Sequence, residues 1–98
     1  MKNETLVNNR TQNEQLFRAE LESANQVIQK LQAMNSDDKQ VAFVLTEYMK
    51  VQAEFFEALE LEDSMWVEKW QLLWEDWQVL TKDLSEVEKT ILKQKEQQ

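Results

Sequence analysis

The chain has neither glycine nor proline among its 98 residues, and this double absence limits its possible folds more than any other feature. Glycine supplies turns with positive φ, and proline supplies turns of fixed φ and ends helices. A chain without either has few ways to build tight hairpins or glycine-rich loops. We therefore expect an all-α fold in which a few long helices pack as an antiparallel bundle.

The composition is that of a single globular domain spanning 1–98. Hydrophobic residues make up 42% of the chain and charged residues 31%, which is typical of a helical bundle rather than of a disordered tail. The longest apolar run extends only from Val41 to Leu45, far short of the ~20 residues of a membrane span. The first residues lack the apolar segment of a signal peptide, and cysteine is absent. We expect a cytoplasmic protein that contacts no membrane.

The first half of the chain has the spacing of one helix followed by a turn. Between Leu16 and Met34, apolar residues alternate at intervals of four and three, which predicts a helix over about 5–34. The polar segment that follows prefers local hydrogen bonds and predicts a turn at 35–38. Asp37, with Gln40 three residues later, reads as a capping box that starts the next helix.

The second half contains a longer pattern with the same alternation of four and three, which we call the heptad seam. Its members are Leu45, Met49, Gln52, Phe56, Leu59, Asp63, Trp66, Trp70, Leu73, Trp77, Leu80, Leu84, Val87 and Ile91. Among these, the predicted core residues are Phe56, Leu59, Trp70, Leu73, Trp77, Leu80 and Leu84. A second set of mostly apolar residues only widens the apolar face near the start of the seam: Val41, Val44, Tyr48, Val51 and Phe55.

Two architectures follow from this seam. Asp63 occupies a core position, and Asp63 with Ser64 is a plausible N-cap, so the chain could turn at 61–64. The result would be a three-helix bundle with its second and third helices over about 38–61 and 65–94. Alternatively, 38–94 could form one helix, because the seam continues in phase and no glycine or proline marks a break. Such a hairpin would leave apolar surface uncovered and should dimerise as a coiled coil.

Four tryptophans on one side of a helix are the most unusual positive feature of the sequence. They stand at positions 66, 70, 74 and 77, within reach of one another at helical spacing. Most of this aromatic surface should enter the core. We predict that Trp66 and Trp74 also contribute to binding a partner protein, since exposed tryptophan is enriched at interaction hot spots.

A group of acidic residues, which we call the acidic ladder, is the second candidate partner-binding feature. It comprises Glu54, Glu57, Glu60, Glu62 and Asp63, and no basic residue stands between Lys50 and Lys69. The net charge of the chain is −8, so the phosphate backbone of a nucleic acid should be repelled. The ladder instead suits a basic protein partner, including one whose basic groove binds nucleic acid.

The residue types present argue against catalysis. The sequence lacks histidine and cysteine, which removes the commonest general base, the thiolate nucleophile and the usual transition-metal ligands. Without glycine there is no phosphate-binding loop. We therefore expect no enzymatic activity, no cofactor and no metal. The sequence favours a protein-binding adaptor, small chaperone or assembly factor that is a homodimer; the alternatives are an acidic inhibitor of a basic groove and a structural homo-oligomeric coiled coil.

Overall fold

The computed structural model of the protein describes residues 6–34 and 38–96. Three long helices account for most of them: α1 (Arg10–Met34), α2 (Lys39–Leu59) and α3 (Asp63–Glu96). Residues 6–8 are also helical, and the described ranges contain no strand. The predicted all-α bundle is confirmed.

The three helices lie side by side and alternate in direction. Phe17 of α1 packs on Phe55 of α2, and Glu57 of α2 pairs with Lys69 of α3, as antiparallel neighbours require. The result is a rod with extents of 53 × 20 × 17 Å. Its length is close to that of α3 alone, because 34 residues at ~1.5 Å each span about 50 Å.

The chain turns between α2 and α3, so the alternative with one continuous helix over 38–94 is wrong. The turn occupies residues 60–62, slightly before the predicted 61–64. The N–H of Glu60 donates to the carbonyl of Glu57 at 3.2 Å, and that of Leu61 to the carbonyl of Ala58 at 3.1 Å. These bonds tighten the last turn of α2 without a left-handed residue, since no described residue has positive φ. Glycine is therefore not needed at this break.

The start of α2 is capped by an aspartate, one residue later than the capping box predicted. Oδ1 of Asp38 accepts from the N–H groups of Gln40 at 2.7 Å and Val41 at 3.2 Å. This bonding satisfies two N–H groups that have no partner within the helix. The predicted cap Asp37 and the rest of the turn at 35–37 lie outside the described residues.

The core consists of apolar side chains contributed by all three helices. Five of the predicted core residues are buried: Trp70, Leu73, Trp77, Leu80 and Leu84. Leu59 is only partly buried at the edge of this core. No polar or charged side chain is buried among the residues described.

The predicted register of α2 is wrong by one residue. Phe56 is 50% exposed, whereas its neighbour Phe55 is 1% exposed. Adjacent residues point about 100° apart on a helix, so both rings cannot enter the same core. Instead, α2 buries Ala58 and the second set of residues, which were expected only to widen the apolar face: Val41, Val44, Tyr48, Val51 and Phe55.

Candidate protein-binding surfaces

One charged side chain, Arg10 in the first turn of α1, joins all three helices where α2 turns into α3. Its Nη2 donates to the backbone carbonyls of Ala58 at 3.3 Å and Leu59 at 3.2 Å. Its Nη1 donates to Asp63 Oδ1 at 2.9 Å, and its Nε to Glu14 Oε2 at 3.2 Å. The last carbonyls of a helix lack intrahelical partners and carry partial negative charge, which a guanidinium compensates. This Arg10 cluster is therefore a structural connection between the helices.

Trp66 belongs to the Arg10 cluster, and the prediction that it contacts a partner is wrong. Its side chain is 0% exposed. The Arg10 guanidinium lies 5.1 Å from the ring centroid, and the indole N–H donates to Glu14 Oε2 at 3.1 Å. The ring stacks on Trp70 at a centroid distance of 4.8 Å. Because α3 begins only three residues earlier, Trp66 lies in its first turn and faces α1.

The acidic ladder is divided in the structure, because two of its members acquire basic partners from other helices. Asp63 is paired with Arg10, and Glu57 accepts from Lys69 Nζ at 3.1 Å. These pairs offset part of the repulsion among the carboxylates of the ladder. Glu60 and Glu62 are exposed at the turn, so their predicted role in binding a partner stays a prediction.

Phe17 of α1 organises the aromatic core around it. Its ring lies 5.2 Å from Phe55, 5.4 Å from Trp70 and 5.2 Å from Trp77, measured between centroids. Both tryptophan rings are edge-on to Phe17 at 62°, whereas the Phe55 ring is tilted by 30°. Edge-to-face contacts of this kind add about 0.5–1.5 kcal/mol per pair to the burial of the rings.

Trp74 forms one wall of an open pocket between α1 and α3. Its side chain is 48% exposed, and Leu16 opposite it is 59% exposed. The pocket has a volume of about 260 Å³. Its floor is the buried pair Phe17 and Trp70, and the remaining lining residues are Leu6, Asn13 and Glu20. Since cavities for small molecules usually measure ~300–1,000 Å³, this one suits a partner's apolar side chain. Sequence reasoning had selected Trp74 but not Leu16.

A second groove runs along the outer side of α2 and α3, and two pairs of carboxyl groups lie across it. Glu47 faces Asp83, and Glu54 faces Asp76. Oε2 of Glu47 and of Glu54 is buried, and no donor in the described part of the chain reaches either atom. Sequence reasoning included Glu54 in the ladder but missed the other three. One feature of the sequence could have indicated these pairs. Each of the two helices that pack together has two acidic residues seven positions apart.

These pairs change the acidity of their members. Burial, the hydrogen bond to Asp83 and repulsion by it raise the pKa of Glu47 from 4.5 to about 7, against the opposing effect of Lys50. Burial and Asp76 raise the pKa of Glu54 in the same way, while Lys50 and Lys69 oppose the change. A carboxyl group that shares one proton with its neighbour supplies the donor that the buried oxygen lacks.

Nothing in the described residues supports a metal site or a membrane span. No group of three or more acidic side chains in ranges 6–34 and 38–96 is arranged to hold a metal ion. Within the same ranges, no helix combines the length and the apolar character needed to cross a bilayer. A comparison of the chain with protein-family models, with curated proteins and with solved structures found no match to any of them.

Proposed function

We propose that this protein is a non-enzymatic binding module that holds a partner protein at the pocket beside Trp74. It would act as an adaptor, small chaperone or assembly factor in the cytoplasm. The observation that carries the proposal is the half-exposed tryptophan facing the exposed Leu16 above a buried aromatic floor. A rigid aromatic wall beside a fixed apolar floor is typical of the hot spots that dominate protein interfaces.

The rest of the surface is consistent with binding and offers little for catalysis. Apart from the two carboxyl pairs of the second groove, the polar groups that converge are those of the Arg10 cluster, and they already bond to one another. The sequence provides no histidine or cysteine, so we propose that the protein uses no cofactor or metal and performs no reaction. Because the chain has a net charge of −8, a nucleic acid is a poor direct partner for it.

A photo-crosslinking experiment in cells tests the Trp74 pocket. A photoreactive phenylalanine analogue replaces Trp74 in one variant and Leu92 in the control, whose side chain is also exposed, at 44%. We expect a discrete heavier product from position 74 that mass spectrometry identifies as one partner protein. The product should disappear when Leu16→Asp is added, because a carboxylate at the rim disfavours an apolar side chain. Equal products from positions 74 and 92 would contradict the proposal.

The homodimer and the structural homo-oligomer are tested by the same variant. A product from position 74 that contains two copies of this chain would identify the pocket as a self-association surface. Sedimentation equilibrium then gives the affinity of the dimer. Since the turn at 60–62 folds α2 back on α3, dimerisation is no longer required to bury Trp66, Trp70 and Trp77.

The acidic inhibitor is the second candidate function, and the net charge of −8 favours it. Such an inhibitor would bind a basic groove mainly through Coulomb attraction, which salt screens. Affinity for the partner would then fall steeply between low and high salt. Binding through the Trp74 pocket should survive the same change, because its contacts are apolar.

A further inference from the structure

The groove between α2 and α3 combines exposed apolar side chains with the two carboxyl pairs. Phe43 of α2 and Val79 of α3 are 59% and 56% exposed, although both are large and apolar. Two hollows along the groove have volumes of about 360 and 170 Å³; Phe43 lines the first and Val79 the second. The groove lies on the opposite flank of α3 from the pocket beside Trp74, which faces α1.

We propose that this groove binds a basic amphipathic helix of a partner protein. The apolar side chains of that helix lie between Phe43 and Val79, and its lysine or arginine side chains bind the two carboxyl pairs. The partner helix completes a four-helix bundle with the three helices of this chain. This binding goes beyond the proposed Trp74 site and does not depend on it.

The spacing of the carboxyl pairs indicates a helix as the occupant. Glu47 and Glu54 are seven residues apart on α2, and their partners Asp83 and Asp76 are seven residues apart on α3. Seven residues are two helical turns, or about 10 Å. A helix lying along the groove presents side chains at this same repeat. Basic residues seven positions apart can therefore reach both pairs at once.

Charge decides between a partner helix and a second copy of this chain. The groove is flanked by three lysines, Lys39, Lys50 and Lys69, but five acidic side chains outnumber them: Glu47, Glu54, Asp76, Asp83 and Glu86. A second copy would bring another chain of net charge −8 against this surface. Like charges that meet in an interface disfavour association, whereas a basic helix gains from the same field.

A proton shared by Glu47 and Asp83 links binding to pH. Glu47 is faced by Asp83 and Lys50, and Glu54 by Asp76, Lys50 and Lys69. A lysine of the partner favours the ionised carboxylate, so binding displaces the proton that Glu47 shares with Asp83 into solvent. Affinity should therefore increase as the pH rises from about 5.5 to 8.

The test uses a synthetic peptide of three heptads with leucine at positions a and d and lysine at e and g. Its like charges prevent it from pairing with itself. A second peptide has glutamate in place of lysine. Isothermal titration calorimetry measures each peptide against the full chain at pH 5.5 and 8, in buffers of different ionisation enthalpy. Two double variants of the protein are compared. One combines Glu47→Gln with Glu54→Gln. The control combines Glu68→Gln with Glu75→Gln, because the side chains of Glu68 and Glu75 are exposed.

We expect the lysine peptide to bind about tenfold more tightly at pH 8 than at pH 5.5, with a proton release that is larger at pH 5.5 than at pH 8, where Glu47 is already ionised. The Glu47→Gln/Glu54→Gln variant should bind about tenfold more weakly at pH 8 and should release none. The control variant removes the same net charge and should bind within about twofold of the wild type. Equal binding of the glutamate peptide, or equal losses in both variants, would overturn the proposal. The proposal would also be overturned if this chain dimerised and the Glu47→Gln/Glu54→Gln variant dimerised more tightly, because the groove would then hold a second copy. Failure at Trp74 in the crosslinking experiment leaves this result unaffected.

Discussion

Replacing Glu47 by glutamine should stabilise the protein above neutral pH, although it removes a charged side chain from a partly exposed position. The carboxyl group of Glu47 faces Asp83 and has a buried oxygen without a donor. At high pH both carboxyl groups are ionised and repel each other. Glutamine has nearly the same shape as a protonated glutamate and keeps a donor at every pH.

The size of the effect follows from the raised proton affinity. The pKa of Glu47 rises from 4.5 to about 7 on folding, so the folded chain holds this proton more tightly than the unfolded chain. The associated stabilisation is complete below pH 4.5 and is lost as the pH rises through 7. Each tenfold change in proton affinity is worth about 1.4 kcal/mol, which gives an upper limit of ~3 kcal/mol. Solvent reaches the groove, so we expect about 1–2 kcal/mol.

Thermal unfolding followed by circular dichroism at pH 5.5 and pH 8 measures this difference. The wild-type midpoint should fall between these values by about 5–10 °C, and the Glu47→Gln midpoint should change little. The interval is free of other side-chain titrations at ordinary pKa values, since the chain has no histidine or cysteine. Glu75→Gln, at an exposed position, is the control and should behave as the wild type. A wild-type midpoint that is flat over this interval would refute the shared proton.

Four further predictions concern stability and assembly. Arg10→Ala should destabilise the protein by about 2 kcal/mol in urea unfolding, because the carbonyls of Ala58 and Leu59 and the carboxylate of Asp63 each lose a hydrogen bond. Arg10→Lys should recover little, since one ammonium cannot reproduce the fork of a guanidinium. Phe17→Ala and Trp70→Ala should each cost about 3–5 kcal/mol in the same assay, as buried aromatic truncations do. Trp74→Ala should cost under ~1 kcal/mol, because its ring is half exposed, and it should weaken binding of the partner that crosslinking identifies. Light scattering should give the molar mass of one chain, 11.8 kDa, at low concentration. If the homodimer forms, the molar mass should rise toward that of two chains at high concentration.

Helix content and most helix ends were predictable because they depend on local chemistry. The predicted helix over 65–94 corresponds to α3 at Asp63–Glu96, and the predicted end near 34 corresponds to Met34. Apolar spacing and polar interruptions carry this information within a few residues of chain. The position of the aspartate cap was predicted to within one residue for the same reason.

The register of α2 was not predictable from its own pattern, because two adjacent apolar sets compete for the core. The seam through Phe56 continues in phase into α3, which favours it in the sequence. The turn at 60–62 interrupts the helix, so the phase of α3 places no constraint on α2. Once the two helices are independent, the set that contains Val44, Val51 and Phe55 is the more apolar one, and it is buried.

The Arg10 cluster was beyond sequence reasoning for a different reason. Arg10 meets Asp63 across 53 positions, and Glu14 meets Trp66 across 52. Spacing rules describe neighbours within a helix, and they cannot pair residues that only the packing of three helices brings together. Glu14, for example, stands four residues from both Arg10 and Arg18, and its carboxylate accepts from Arg10 and from the distant Trp66.

The exposure of Trp74 follows from helix geometry. Residues four apart are displaced by about 40° around a helix, so a series at every fourth position drifts steadily from the core toward solvent. The exposed fractions of Trp66, Trp70 and Trp74 are 0%, 6% and 48%, and they rise in that order. Trp77 stands three residues further on, which reverses the drift, and it is 5% exposed. Burying Trp74 would require rotating α3, which would pull Trp66 away from Glu14 and Arg10. The contacts that stabilise the turn between α2 and α3 therefore also keep Trp74 at the surface, where a partner can reach it.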